Sequence, residues 1–289
     1  MADASVLEWA EPGDQYRDYC LWDYAPQAAT QGKLRSASLL WHSFDTLDKS
    51  GRLRAMVEAV RAAIGPFETV WGVKESGGTF SWELYFYDYR RFDRRVSIER
   101  VLDALRPFAA SALTLSRTRP YFMFSLDLDA ALGAGRRGIE DISVYMGNPS
   151  AGVSSGICYN YSAEGLRLDN LYYFFDRRSD WDAAVGKITC SAHLDLDRIV
   201  LSELLWPELR DCAVIVAANK RFGDGVYFSR IRIDQLIFFA ARMNYPAAIQ
   251  RFLCDNRGLL DHLFFDVGLD YRMVDGRLEF TKSAYYGLV

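Results

Sequence analysis

Four stretches of this sequence alternate so regularly that each describes a surface with two unlike sides. In residues 79–89 one parity reads Phe80, Trp82, Leu84, Phe86 and the other Ser81, Glu83, Tyr85, Tyr87. In 121–129, Phe122, Phe124, Leu126 and Leu128 oppose Tyr121, Met123, Ser125 and Asp127. In 141–146, Ile142, Val144 and Met146 oppose Asp141, Ser143 and Tyr145, and in 264–271, Phe265, Val267 and Leu269 oppose Asp266, Gly268 and Asp270. A period of two belongs to a β-strand, whose successive side chains point to opposite faces. One face is wholly apolar and has to be covered, because that much exposed hydrocarbon aggregates. The other carries tyrosine, serine, methionine and acids, with almost no lysine, whereas a solvated sheet face is normally rich in Lys, Thr, Gln and Arg.

The order of elements says what covers the apolar face. Residues 67–74 and 79–89, joined by the turn Glu75-Ser76-Gly77-Gly78, read as a hairpin. A helix over 46–64, stopped by Gly65-Pro66, precedes it, and a helix over 97–106 with Ser97 as N-cap follows. The helix–strand–strand–helix order partly recurs. Strands are predicted at 121–129, 141–146, 156–162, 166–175, 213–219, 225–231, 263–272 and 277–286, and at 34–44. Helices are predicted at 233–244 and 246–256, with Pro246 in the first turn of the second. Region 178–211 is ambiguous, with an alternating piece at 188–196 and a helical one at 199–209. Hairpins separated by helices exclude a doubly wound parallel sheet. The expected class is α+β: an antiparallel barrel of about ten strands surrounded by helices in repeated αββα units, since an open sheet that large curls or closes. Closure turns the tyrosine- and acid-bearing face into a wet, aromatic ligand cavity. No linker interrupts the chain, so residues 1–289 read as a single domain, with an irregular N-terminal extension over 1–32 and the barrel over 33–289.

Charge narrows the function. A formal net charge of −4 and basic pairs that each lie near acids argue against a nucleic-acid partner. No apolar run approaches the ~18 residues of a membrane span. Five scattered cysteines without a CxxC, and an acidic N-terminus without an apolar signal core, lead us to expect free thiols in a cytoplasmic protein. No phosphate loop, GxGxxG, GxSxG, HxH or HExxH occurs. His193 beside Asp195 and Asp197 reads as a strand-end cluster rather than a metal site, and no metal ligands are assigned.

The local patterns ETVWGVKESGGTFSWELYFYD, YFMFSLDLD, GICYNYSAEGLRLDNLYYFFD, LLWPELRDCAVIVAANKRFGDGVYFSRI and DGRLEFTKSAYYG resemble those of the ABBA, or PT-barrel, aromatic prenyltransferases over residues 67–286. The order is closest to the cyanobactin-type enzymes that modify ribosomally made peptides. The resemblance implies transfer of a prenyl group from dimethylallyl or a longer prenyl diphosphate to an electron-rich side chain of a peptide or other aromatic acceptor. It implies a monomer or weak homodimer and no organic cofactor, with Mg²⁺, where used, bound through the substrate diphosphate. By the same resemblance Glu68 or Glu83 is the base, with Glu68 nearer the family's position. Lys220, Tyr227 and Lys282 match positions that hold diphosphate, and Lys74 and Arg230 are weaker candidates that also read as rim residues. Lys282 shares parity with Leu278 and Phe280, so it points inward only if a bulge lies near Thr281. Trp82, Tyr85, Tyr145, Tyr159, Tyr173 and Tyr285 are candidates for the pocket that shields the allylic cation. Two departures stand out. The family's arginine on the second hairpin strand falls at Trp82 or Glu83, and its basic middle strand falls near 141–147, which has no Lys or Arg. Either Arg167, Arg272 and Arg277 supply the missing charge, or the chain is a non-catalytic barrel that binds a peptide or hydrophobic small molecule with a decayed diphosphate site.

Overall fold

The computed structural model describes residues 6–90, 93–115, 118–148 and 154–289. Ten strands form one closed antiparallel barrel in which each strand pairs with its neighbours in sequence and the last pairs with the first. They are β1 (Thr69–Ser76), β2 (Thr79–Tyr87), β3 (Tyr121–Leu128), β4 (Asp141–Gly147), β5 (Ser155–Ser162), β6 (Gly165–Asp176), β7 (Val214–Lys220), β8 (Asp224–Ile231), β9 (Phe265–Val274) and β10 (Arg277–Leu288). The helices are α1 (Ala37–Leu47), α2 (Arg52–Ile64), α3 (Ile98–Leu105), α4 (Ala130–Gly133), α5 (Trp181–Thr189), α6 (Ile233–Arg242), α7 (Ala247–Asp255) and α8 (Arg257–Leu260). None is long and apolar enough to cross a membrane.

Helix residues and the outward side chains of the strands share one large core, which includes Trp71, Trp82, Leu84, Phe86, Phe124, Leu126, Val144, Phe228, Val267 and Leu269. A second, smaller cluster fills the lumen: Val70, Tyr85, Tyr87, Met123, Tyr145, Cys158, Ala284, Tyr286 and Leu288. The two faces read from the alternating stretches therefore separate as expected, with one exception. Tyr121 packs outward on Phe124, with ring centroids 5.9 Å apart, because a register shift between Tyr121 and Met123 interrupts β3 and brings Phe122 to the lumen's mouth.

Residues 34–44 are not a strand; most of them lie in α1, whose residues Ala37 to Trp41, Ser43 and Phe44 are all buried, so that the helix is covered almost all round. The helix expected over 46–64 is two helices, broken at Gly51, whose φ of 65° is left-handed. Asp48 caps the second, accepting from the Ser50 and Leu53 amides. The ambiguous region resolves into α5 followed by turns and two short 3₁₀ segments, Leu201–Glu203 and Pro207–Leu209.

The barrel has two different ends. The β1–β2, β5–β6, β7–β8 and β9–β10 turns lie at one end. The connections through α3, α5 and α6–α8 lie at the other, where the loop 17–23 of the N-terminal segment folds across the mouth.

Candidate functional site: a two-tiered barrel lumen

Inward side chains sort by height. Toward the helix-connected end they are aromatic. Tyr85 and Tyr87 from β2, Tyr145 from β4, Tyr172 from β6, Tyr227 from β8 and Tyr286 from β10 form the tier, together with Tyr19 from the mouth loop. All of them but Tyr85 line a cavity of about 230 Å³, with Met123, Phe122, Phe174 and Val216. Two of these rings lie flat on the wall because the facing residue is glycine. A Cβ on Gly268 would sit 2.3 Å from the Tyr227 ring, and one on Gly72 2.7 Å from Tyr286. Trp22 and Tyr89, both nearly half exposed, stand at the opening. A buried ring wall of this kind offers a cation several faces, each worth up to about 2 kcal/mol when desolvated.

Below lies an ionic tier. The Lys74 ammonium meets Glu83 at 3.0 Å and also pairs with Asp127. Glu83 accepts from the Tyr85 hydroxyl at 2.6 Å and from Ser125. Across the lumen Asp270 bridges Lys220 at 2.6 Å and Lys282 at 2.8 Å, and Lys220 also donates to the Tyr227 hydroxyl at 2.9 Å. Burial works against Lys74 and Lys282, but their carboxylates outweigh it and hold both ammoniums above the ordinary range. Lys220 goes the other way: burial, with Lys282 adding to it against the pull of Asp270, brings it down to about 8. Burial is likewise overcome at Asp270, kept well below the usual carboxylate range by Lys220 and Lys282, and at Glu83, lowered by Lys74, Ser125 and Tyr85. Asp127 is raised by burial and the neighbouring Glu83 charge.

Of the residues expected to form a site, the lumen brings together Glu83, Lys74, Lys220, Tyr227, Lys282, Tyr85 and Tyr145. Lys282 points inward because the β9–β10 register shifts between Phe280 and Lys282, at Thr281. The same bulge sends Tyr285 outward, onto Tyr245 and Trp71. Three more pocket candidates are also on the outer face. Trp82 donates its indole N–H to Ser43 at 2.7 Å and packs on Phe44. Tyr173 lies under the Lys187 ammonium, 4.2 Å from its ring, and Tyr159 pairs with the outward Val144. Alternation leaves them no other choice, since Cys158 and Tyr172 take the inward places beside them. Glu68 stands outside the cavity, before β1, paired with Arg95 at 2.6 Å. Arg230 is no ligand of the ionic tier: its Nε donates to the buried Asp18 at 2.8 Å. Arg167, Arg272 and Arg277 are exposed, and the ion pairs of the tier are made by Lys74, Lys220 and Lys282 instead.

Asp270, Tyr172, Tyr286 and Tyr19 were not among the candidates. Asp270 lies on the inward parity of 264–271, and the bulges at Thr281 and near Asp169 fix the parity of Tyr286 and Tyr172. Tyr19 had no periodic signal, because its segment is irregular. The His193 ring faces the Lys220 carbonyl at 3.3 Å. Among the described residues no three His, Cys, Asp or Glu side chains are placed to hold a metal ion, and the lumen carboxylates face lysines instead. The chain matches no model of a known protein family, and no curated protein matches it significantly.

Proposed function

We propose that this chain transfers a prenyl group from an allylic diphosphate to an electron-rich side chain, with the αββα pattern of a PT barrel as its frame and a peptide or aromatic compound as the acceptor. The observation that carries the reading is the meeting of Lys74, Lys220, Lys282 and Tyr227 in the lumen, directly below a tyrosine-lined chamber. The diphosphate would take the three ammoniums and the Tyr227 hydroxyl, loosening their present pairs with Glu83, Asp127 and Asp270. Its apolar tail would lie against Tyr85, Tyr145, Tyr172 and Tyr286.

In the reaction the allylic C–O bond breaks and its electron pair leaves on the diphosphate. Lysine charge stabilises that leaving group. The ring faces hold the allylic cation and keep water from trapping it. The acceptor then forms the new bond to carbon and loses a proton. Glu83 is the carboxylate placed to take it, because it is ionised in the lumen and already hydrogen-bonded to Tyr85. Mg²⁺, where used, would bind through the substrate diphosphate.

Incubation with dimethylallyl and geranyl diphosphates and a panel of tryptophan-, tyrosine- and arginine-containing peptides tests this. A mass gain of one or more isoprene units, lost in Lys220→Ala, is the expected result. A second reading rests on one observation: each lysine of the tier already has a carboxylate partner, so the tier is close to charge balance. In that case the barrel binds a hydrophobic ligand without turnover. Calorimetry with inorganic pyrophosphate separates the two, since the binder gives no heat.

A further inference from the structure

Six tyrosines of the aromatic tier stand on strands and are fixed by the hydrogen-bond ladders of a closed sheet. Tyr19 is different. It reaches the lumen from the loop 17–23, which has no place in the barrel. Its ring lies edge-on against Tyr286 at 4.9 Å and Tyr85 at 5.1 Å. Tyr85 in turn touches Glu83, so Tyr19 stands above the ionic tier, on the mouth side of the chamber. A tail that rises from the ionic tier into the chamber and grows by one unit meets this ring.

Bonds that involve side chains keep the loop there. The Tyr19 amide donates to Asp266 at 3.0 Å, Tyr87 donates to the Tyr19 carbonyl, and Tyr89 donates to the Cys20 carbonyl at 2.6 Å. Asp18 ties the loop together, accepting from the Cys20 and Trp22 amides, and Arg230 of β8 holds Asp18 from the barrel side. Leu21 at the tip has φ of 56°, a left-handed conformation that a leucine adopts only where its surroundings enforce it. The loop is therefore latched by side chains rather than woven into the sheet.

We propose that Tyr19 sets the length of the apolar tail that the lumen accepts, and that the loop 17–23 is the part of the wall that yields to a longer one. The inference rests on the reading of the lumen as a ligand chamber, and not on the transfer chemistry. Removing the ring enlarges the chamber beside Tyr85 and Tyr286. An extra isoprene unit buried there raises affinity about tenfold or more. Loosening the latch has the same direction and a smaller size.

The test measures binding by calorimetry to the full chain and to Tyr19→Ala, Tyr19→Phe and Arg230→Gln, each first shown by its thermal melt to be folded. The probes are dimethylallyl alcohol, geraniol and farnesol, with the matching diphosphates as a second arm. The expected result is that Tyr19→Ala shifts preference toward the longer alcohols by about tenfold relative to the unaltered protein. Tyr19→Phe keeps the original ranking and Arg230→Gln falls between. An unchanged ranking in Tyr19→Ala, an equal shift in Tyr19→Phe, or no binding of any alcohol by any of the four proteins overturns the proposal. If the alcohols behave as expected while the diphosphates bind no tighter than they do, Tyr19 keeps its role and the prenyl-transfer reading falls.

Discussion

The two tiers of the lumen are set in one barrel wall, and they are held in opposite ways. In the aromatic tier shape carries the arrangement: rings rest on glycines and on one another, as Tyr227 does on Gly268 and Tyr286 on Gly72. In the ionic tier charge carries it: each lysine sits beside a carboxylate, and Asp270 serves two of them. A shape-built wall tolerates a new ring angle. A charge-built one fails when a single partner is lost, because a buried ion without a counter-ion is far more costly than a buried pair.

That contrast predicts a graded series. Asp270→Asn should have the largest effect, because it leaves Lys220 and Lys282 facing each other with no counter-charge between them. A loss of about 3–5 kcal/mol in urea unfolding at neutral pH is expected. The loss should shrink as pH rises toward about 8 and level off above it, because without the Asp270 charge Lys220 gives up its proton at lower pH in the variant than in the native protein. A loss under 1 kcal/mol at neutral pH would mean that charge does not hold this tier, by the measure of ordinary surface pairs at about that size. Gly268→Ala should come next, at about 1–3 kcal/mol, since the new methyl group collides with the Tyr227 ring and has to displace it. Its partner change, Gly268→Ala with Tyr227→Ala, should recover part of that loss if the clash is the cause.

A third expectation concerns pH. Burial, and then the nearby Asp18, push the Asp266 carboxyl up to about 7. In the unfolded chain an aspartate ionises near pH 4. Between those values the unfolded state is charged at this position and the folded state is not. The contribution of Asp266 to stability therefore falls as pH rises from about 4 to about 7 and is constant above. The stability of the native protein minus that of Asp266→Asn, followed by denaturant melts across this window, should fall with pH. A flat or rising difference would refute the assignment. The smallest effect belongs to Glu68→Gln. Its carboxylate pairs with the largely exposed Arg95, outside both tiers, so a change within about 1 kcal/mol is expected, with no change in the binding of any lumen ligand.

What the sequence disclosed about this site depended on how regular each strand is. Where alternation runs unbroken, as in β2 and β9, the inward residues Glu83, Tyr85, Asp266 and Asp270 follow from parity alone. Where a bulge intervenes, parity counted from one side of it misplaces the residues on the other. Lys282 and Tyr285 exchange faces at Thr281, and Tyr121 leaves the inner face at the shift in β3. Pattern-matching to a family carried Trp82, Tyr159 and Tyr173 into a pocket that alternation places behind the wall. The α1 segment misled because a short apolar run buried almost all round carries no decisive period. Tyr19 and Asp18 were illegible for a deeper reason: their positions are set by a side-chain latch to Arg230 and Asp266, far away in the chain, and no local pattern records it.

The pairing of β1 with β10 has a consequence during biosynthesis. On the side of β1 away from β2, Val70 pairs with Leu288, so the ring stays unsealed until β10 has left the ribosome. Until then β1 and β9 present bare edges on which a neighbouring nascent chain can dock. For this protein, the interval between translating those two segments is the period of greatest exposure to aggregation.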